Sequence, residues 1–191
     1  MFEAFTTSTL IVALAEIGDK TQLLAIVLAT RFHKPWPIVA GILAATLANH
    51  FLAALLGATA AAFLDGLWFR FAVAAGFVAM GLWTLVPDKL DDDETPRTAG
   101  HGAFLTTLVA FFLVEMGDKT QIATIALGAR FNAALSVTAG TTLGMMIANV
   151  PAVFFGHQLI KRVPLDGVRM IAAALLVATG VWLFLQTLGL W

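Results

Sequence analysis

Residues 16–22 read Glu-Ile-Gly-Asp-Lys-Thr-Gln, and residues 115–121 read Glu-Met-Gly-Asp-Lys-Thr-Gln. From Glu16 to Glu115 is a shift of 99 residues, and the same shift carries Arg31-Phe32 onto Arg130-Phe131, Ala40-Gly41 onto Ala139-Gly140 and Gly57 onto Gly156. It also carries Arg70 onto Arg169, and Gly81 and Trp83 onto Gly180 and Trp182. Leu64-Asp65-Gly66 recurs as Leu165-Asp166-Gly167 after a slip of two residues. The correspondence runs through nearly all of each half, so the chain is two copies of one unit. Whatever one copy folds into, the other must fold into as well, with its motif in the equivalent place.

The unit is built for a bilayer. Hydrophobic residues make up 60% of the chain and charged ones 12%, about half the share usual in a soluble domain. Mean hydropathy is +0.90. A spanning helix needs roughly 20 mostly apolar residues. Six segments qualify, at about 5–30, 37–64, 68–86, 103–129, 134–160 and 167–188. The expected fold is therefore an all-α membrane protein of six transmembrane helices. Residues 1–86 form the first three-helix repeat, 87–101 an acidic cytoplasmic linker, and 102–191 the second repeat. Three is an odd number of spans, so the second copy enters the membrane from the opposite side, as an inverted repeat. Basic residues orient it. With both termini outside, Arg31, Lys34, Lys89, Arg97, Lys161, Arg162 and Arg169 lie within, and only Arg70 and Arg130 lie without. The N-terminus lacks a basic n-region and a clear cleavage site, so its apolar stretch reads as a retained helix and not a signal peptide.

Charges inside the spans carry the functional signal. A charge at the bilayer centre costs about 2.5–3.5 kcal/mol on insertion scales. Glu16 and Asp19 fall near the middle of the first span, Glu115 and Asp118 near the middle of the fourth. On a continuous helix Glu16 and Asp19 share a face at i,i+3, and Lys20 stands i+4 from Glu16, within pairing reach. Inverted symmetry would bring both motifs together near the midplane. Gly18 and Gly117 permit close approach or local unwinding, and unwound backbone could add carbonyl ligands. Glu16, Asp19, Gln22, Glu115, Asp118 and Gln121 are the candidate metal ligands, with Thr21, Thr120, Lys20, Lys119, Asn49 and Asn149 as secondary members. These hard oxygen donors suit Mg²⁺, Ca²⁺ and Mn²⁺. The chain has no cysteine, which excludes thiolate sites and disulfides. The plain alternative is that Glu16–Lys20 and Glu115–Lys119 are salt bridges that hold two helices together. It leaves the repeated Gly, Asp, Thr and Gln unexplained.

Other polar residues say less. Asn49 and Asn149 occupy near-equivalent places in the second and fifth spans, lining the same cavity or bonding between helices. His50 could relay protons, but it lacks a partner in the second copy, which favours a packing role. His33, His101 and His157 read as solvated. Gly140 and Gly144 read as a close helix contact, most tryptophans as interface anchors, and Arg31 and Arg130 as anchors rather than gates. The acidic run from Asp88 to Glu94 lacks EF-hand spacing and reads as a solvated linker.

The doubled Glu-x-Gly-Asp-Lys-Thr string resembles the signature of the transmembrane protein 165 family of cation/proton exchangers, and the resemblance covers both halves. It implies six spans in two inverted halves, an acidic central loop, and transport of Mn²⁺ or Ca²⁺ in exchange for protons. Carried over by position, it implies Glu16, Asp19, Glu115 and Asp118 as the cation site, with Gln22, Gln121, Thr21 and Thr120 assisting. The bacterial branch implies a manganese exporter in a cytoplasmic (inner) membrane, and the short N-terminus looks like a compact bacterial member. The expected function is thus secondary export of Mn²⁺ against protons. No cofactor is implied besides the transported ion, and the partners are the ion, protons and the lipid bilayer. Alternatives are a Ca²⁺/proton antiporter of the same fold, a metal-dependent intramembrane hydrolase, and a passive channel. The hydrolase fits poorly, because no Ser or Cys nucleophile stands near the motifs and because the site is duplicated.

Overall fold

The computed structural model describes residues 1–64, 66–87, 102–156 and 164–190. Residues 88–101, most of the expected acidic linker, lie outside the described residues, as do His101, His157, Lys161 and Arg162. The described residues are all-helical. In chain order the helices are α1 (Phe2–Glu16), α2 (Lys20–Phe32), α3 (Pro35–Phe63), α4 (Leu67–Thr84), α5 (Gly102–Glu115), α6 (Lys119–Phe131), α7 (Ala134–Phe155) and α8 (Leu165–Thr187).

Four of these, α3, α4, α7 and α8, are long and apolar enough to cross a membrane. The segments expected as the first and fourth spans are not continuous helices. Each is cut at its motif into two shorter ones, α1–α2 and α5–α6. Gly18 at φ 82° and Gly117 at φ 80° hold the left-handed conformation that a helix cannot contain and that other residues resist. The next residue, Asp19 or Asp118, is extended and stands at the N-cap position of the following helix, where the Asp19 side chain accepts from Thr21 N–H.

The ends of α2 and α6 are matched too. His33 (φ 53°) and Asn132 (φ 46°) stop them in the left-handed region, each two residues past the repeated Arg. Pro35 then opens α3, where its missing N–H costs nothing.

The two copies are interwoven. In α3, Gly41 abuts α5, where an added methyl would lie 2.8 Å from the Phe104 carbonyl. Its repeat partner Gly140, in α7, abuts the backbone of α1 at Phe5. Each copy's first helix thus packs on the long helix of the other copy. Gly81 and Gly180 bring α4 and α8 together, with methyl positions 2.9 Å from the Ala173 carbonyl and 2.7 Å from the Ala74 carbonyl. Close backbone contact through small residues is how helices associate where lipid supplies no hydrophobic drive.

Helix α3 displays the matching inversion of its faces. Gly41, Ala45, Thr46, Asn49, His50, Ala53 and Gly57 point inward, while Leu43, Leu47, Phe51, Leu52, Leu55 and Leu56 point outward. Ile38 and Ile42 are buried near its start; beyond them the small and polar side chains face inward and the large ones outward, the reverse of the arrangement expected in water.

One end of the molecule gathers several chain ends. Glu3 pairs with Arg130 at 3.9 Å. A cavity of about 410 Å³ is walled there by Ala61, Arg70, Arg130, Asn132, Gln186 and Thr187. The N-terminus therefore shares an end with the close of α3, α6 and α8.

Candidate cation-binding site

Each motif forms a short bridge between two helices. The helix before it ends at Glu16 or Glu115, and the backbone N–H of Asp19 or Asp118 donates back to that residue's carbonyl, at 3.1 and 3.2 Å. The Gln that closes the motif fastens the bridge. Gly18 N–H donates to Gln22 Oε1 (3.0 Å), and Gly117 N–H donates to Gln121 Oε1 (2.7 Å). The amide groups then reach the other copy: Gln22 Nε2 donates to the Ala148 carbonyl (2.9 Å), and Gln121 Nε2 to Asn49 Oδ1. A broken helix exposes peptide groups that would otherwise bond each other, and the glutamines take up two of them. Because the chain is unwound between residues 16 and 20, the i,i+3 and i,i+4 helix geometry expected for Glu16, Asp19 and Lys20 does not apply.

Both motifs meet in the interior. Carboxylate oxygens of Glu16, Asp19 and Asp118 all lie within 4.8 Å of one another, and all three residues are buried. Two ligands at 2.3–2.6 Å from a shared cation stand at most about 5 Å apart, so the three could hold one ion. Glu16 is the hub: its carboxylate accepts from Thr21 Oγ1 (2.6 Å) and from Thr120 Oγ1 of the other motif. Asp19 Oδ2 also accepts from Thr21 N–H at 3.5 Å. Lys20 Nζ stands 3.7 Å from Asp118 Oδ1, again between copies. Lys119 Nζ instead donates to the Val86 carbonyl (2.8 Å) and lies 5.7 Å from the centre of the Trp83 ring. A space of about 10 Å³, walled by Asp19, Thr84, Val86, Lys119, Thr120 and Arg169, adjoins the site. It is about the room one water needs.

Comparison with known proteins gives the arrangement its context. The model of the family described as "Divalent cation/proton antiporter GDT1" matches residues 4–92 and 103–190. The chain belongs to this family. It is 51% identical over 165 residues to a Vibrio cholerae protein described as "Putative manganese exporter", covering 86% of this chain and 82% of that protein. It is 32% identical to a GDT1-like protein of Synechocystis, with 92% of this chain and 93% of that one covered. A GDT1-like protein of Arabidopsis thaliana is 28% identical over 95% of both chains. No solved structure matches. GDT1 is a family of membrane transporters, not of enzymes, so this antiporter is not the intramembrane hydrolase weighed above.

In this GDT1-family antiporter the fourth acid, Glu115, stands apart from the close trio. It is fully buried, and neither carboxylate oxygen has a hydrogen-bond partner among the described residues. His50 Nε2 lies 3.7 Å from its Oε2. The packing role expected for His50 therefore leaves out an acid 3.7 Å away. At a shift of 99, His50 corresponds to Asn149, and Asn49 to Ala148. Asn149 donates to the Met145 carbonyl at 3.2 Å, while Asn49 joins the Gln121 brace. Two further contributors were not singled out from the sequence as site residues. Arg169 Nη2 donates to the Gly18 carbonyl (3.5 Å), and the Val86 carbonyl holds Lys119. Arg169 had a signal in its repeat partner Arg70; a backbone carbonyl has none.

Proposed function

We propose that this protein exports Mn²⁺ from a bacterial cytoplasm across the inner membrane in exchange for protons. The binding group is the carboxylates of Glu16, Asp19 and Asp118, joined by Glu115. The observation that carries this reading is the meeting of acids from two separate motifs in one buried place. Manganese, rather than another hard divalent ion, is favoured by the printed description of the Vibrio cholerae relative. Ca²⁺ fits the same oxygen donors and is the second reading.

The mechanism uses like charge. Carboxylates packed this closely are compatible when a divalent cation lies among them. When the ion leaves, protons take its place and the neutralised site can return through the membrane. Exchange therefore needs no separate proton path. Lys20 stands beside Asp118, a cationic side chain of one copy against an acid of the other.

The architecture that suits this is six passes in two inverted halves, with α1–α2 and α5–α6 each counting as one broken span. In support, the N-terminus and the closing ends of α3, α6 and α8 gather at one end of the molecule. We place that end outside the cell. Transport then proceeds by rocking about the shared site, as in other inverted-repeat carriers.

The test is flux in proteoliposomes. One pH unit supplies about 1.4 kcal/mol per proton exchanged. An inward proton gradient should drive Mn²⁺ outward against its own gradient, and Asp19→Asn should abolish it. Flux that runs only downhill would make the protein a channel. Flux of Ca²⁺ alone would keep the mechanism and overturn the ion.

A further inference from the structure

Glu115 and His50 present an arrangement that the three-carboxylate group does not explain. Both side chains are fully buried. Both Glu115 oxygens and both ring nitrogens of His50 lack a hydrogen-bond partner among the described residues. Buried polar groups are nearly always bonded, so each such atom calls for an explanation. The gap between Nε2 and Oε2 is 3.7 Å. That is too long for a hydrogen bond. It falls within the range that two donors on one metal ion span. With donors at about 2.2 Å from the ion, between the lengths usual for Mg²⁺ and Ca²⁺, neighbours stand about 3.1 Å apart and opposite ligands about 4.4 Å.

The donors also differ in kind. Glu115 offers oxygen, and neutral His50 offers an imidazole nitrogen. Ca²⁺ takes oxygen ligands almost alone. Mn²⁺ stands in the first-row series that binds nitrogen as well. The repeat supplies an internal contrast, because the position matching His50 is Asn149, which carries no imidazole.

We propose that His50 and Glu115 form a second cation-holding station beside the three-carboxylate group, and that its nitrogen donor makes the transporter prefer Mn²⁺ over Ca²⁺. An ion passing between the trio and Glu115 exchanges an all-oxygen environment for a mixed one. Only an ion that accepts nitrogen is stabilised at that step. This rests on the Mn²⁺ reading above and adds to it a residue outside the motif.

Pulsed electron paramagnetic resonance of Mn²⁺ bound to the purified protein tests it directly. The expected spectrum shows nitrogen coupling that changes when the protein is grown on ¹⁵N-histidine and vanishes in His50→Gln. Persistence of the signal in His50→Gln would assign it to another of the four histidines and overturn the proposal. A wild-type spectrum of bound Mn²⁺ with oxygen coordination alone would do so too, and would mean that a water fills the gap. Competition in proteoliposomes adds a functional readout. Losing an outer partner of a metal ligand already costs about 10–100-fold, so losing a direct donor should lower the Mn²⁺/Ca²⁺ preference by about tenfold or more. An unchanged ratio would overturn the proposal while leaving export intact. Failure of the wild type to bind or move Mn²⁺ would instead bring down the Mn²⁺ reading, and this proposal with it.

Discussion

The two motifs agree in six of seven residues, yet their glutamates live differently. Glu16 accepts hydrogen bonds from the threonines of both copies and belongs to the close trio. Glu115 accepts none among the described residues and faces His50. Lys20 stands against Asp118, and Lys119 bonds the Val86 carbonyl beside the Trp83 ring. Duplication therefore supplied a symmetric set of groups, and their surroundings split it into a bonded acid and an unbonded one. In an exchanger the split is useful. The bonded acid keeps the site in shape, and the unbonded one is left to respond to what occupies it.

Removing charge should break the comparison most sharply. Asp19→Asn and Asp118→Asn should each lower proton-driven Mn²⁺ flux by more than about 100-fold, since even outer partners of metal ligands cost up to that much. Glu16→Gln and Glu115→Gln should both abolish exchange but differ in thermal stability. Glu16→Gln disturbs the two hydrogen bonds that Glu16 accepts from Thr21 and Thr120, worth about 0.5–1.5 kcal/mol each. Glu115→Gln takes away an acid that accepts no hydrogen bond among the described residues, so its melting temperature should hold or rise. A drop for Glu115→Gln as large as for Glu16→Gln would erase the distinction.

The glycines offer a finer version. Alanine at φ near 80° is strained by roughly 1–2 kcal/mol in either motif. At Gly117 nothing lies within 4 Å of the added methyl, whereas at Gly18 it would sit 2.8 Å from Leu165 Cδ2. Gly18→Ala should therefore melt lower than Gly117→Ala, and equal melting would show that Leu165 yields without cost. The smallest effect is at Trp83. Trp83→Leu removes a cation–π contact to Lys119 worth about 0.5–1 kcal/mol and leaves the Lys20–Asp118 pair in place, so transport should fall by no more than about fivefold. Transport by this variant at low Mn²⁺ checks it.

Much of this was legible in the sequence, for identifiable reasons. The helical class followed from apolar runs, and the meeting of the motifs follows from the repeat, which binds both copies to one geometry. Gly18 and Gly117 hinted at unwinding, because only glycine is at ease in the left-handed conformation they adopt. Treating residues 16–20 as helix nonetheless put Lys20 against Glu16, whereas the bridge turns it toward Asp118. Periodicity cannot register three residues that leave a helix and re-enter another. The position of His50 against Glu115 was hidden for a different reason. Contact between residues 65 positions apart depends on how α3 crosses the second motif, and no local pattern encodes that.

The exchange of partners between copies has a consequence for how the protein is made. When α1 and α2 emerge, the helix that will cover them, α7, does not yet exist, and Thr120, which will bond Glu16, lies 104 residues further on. The first copy must wait in the membrane with its acids uncovered until the second arrives. Assembly is thus committed late and all at once. A ribosome stalled after the first copy would leave an unfinished intermediate rather than half a transporter, a natural target for membrane quality control.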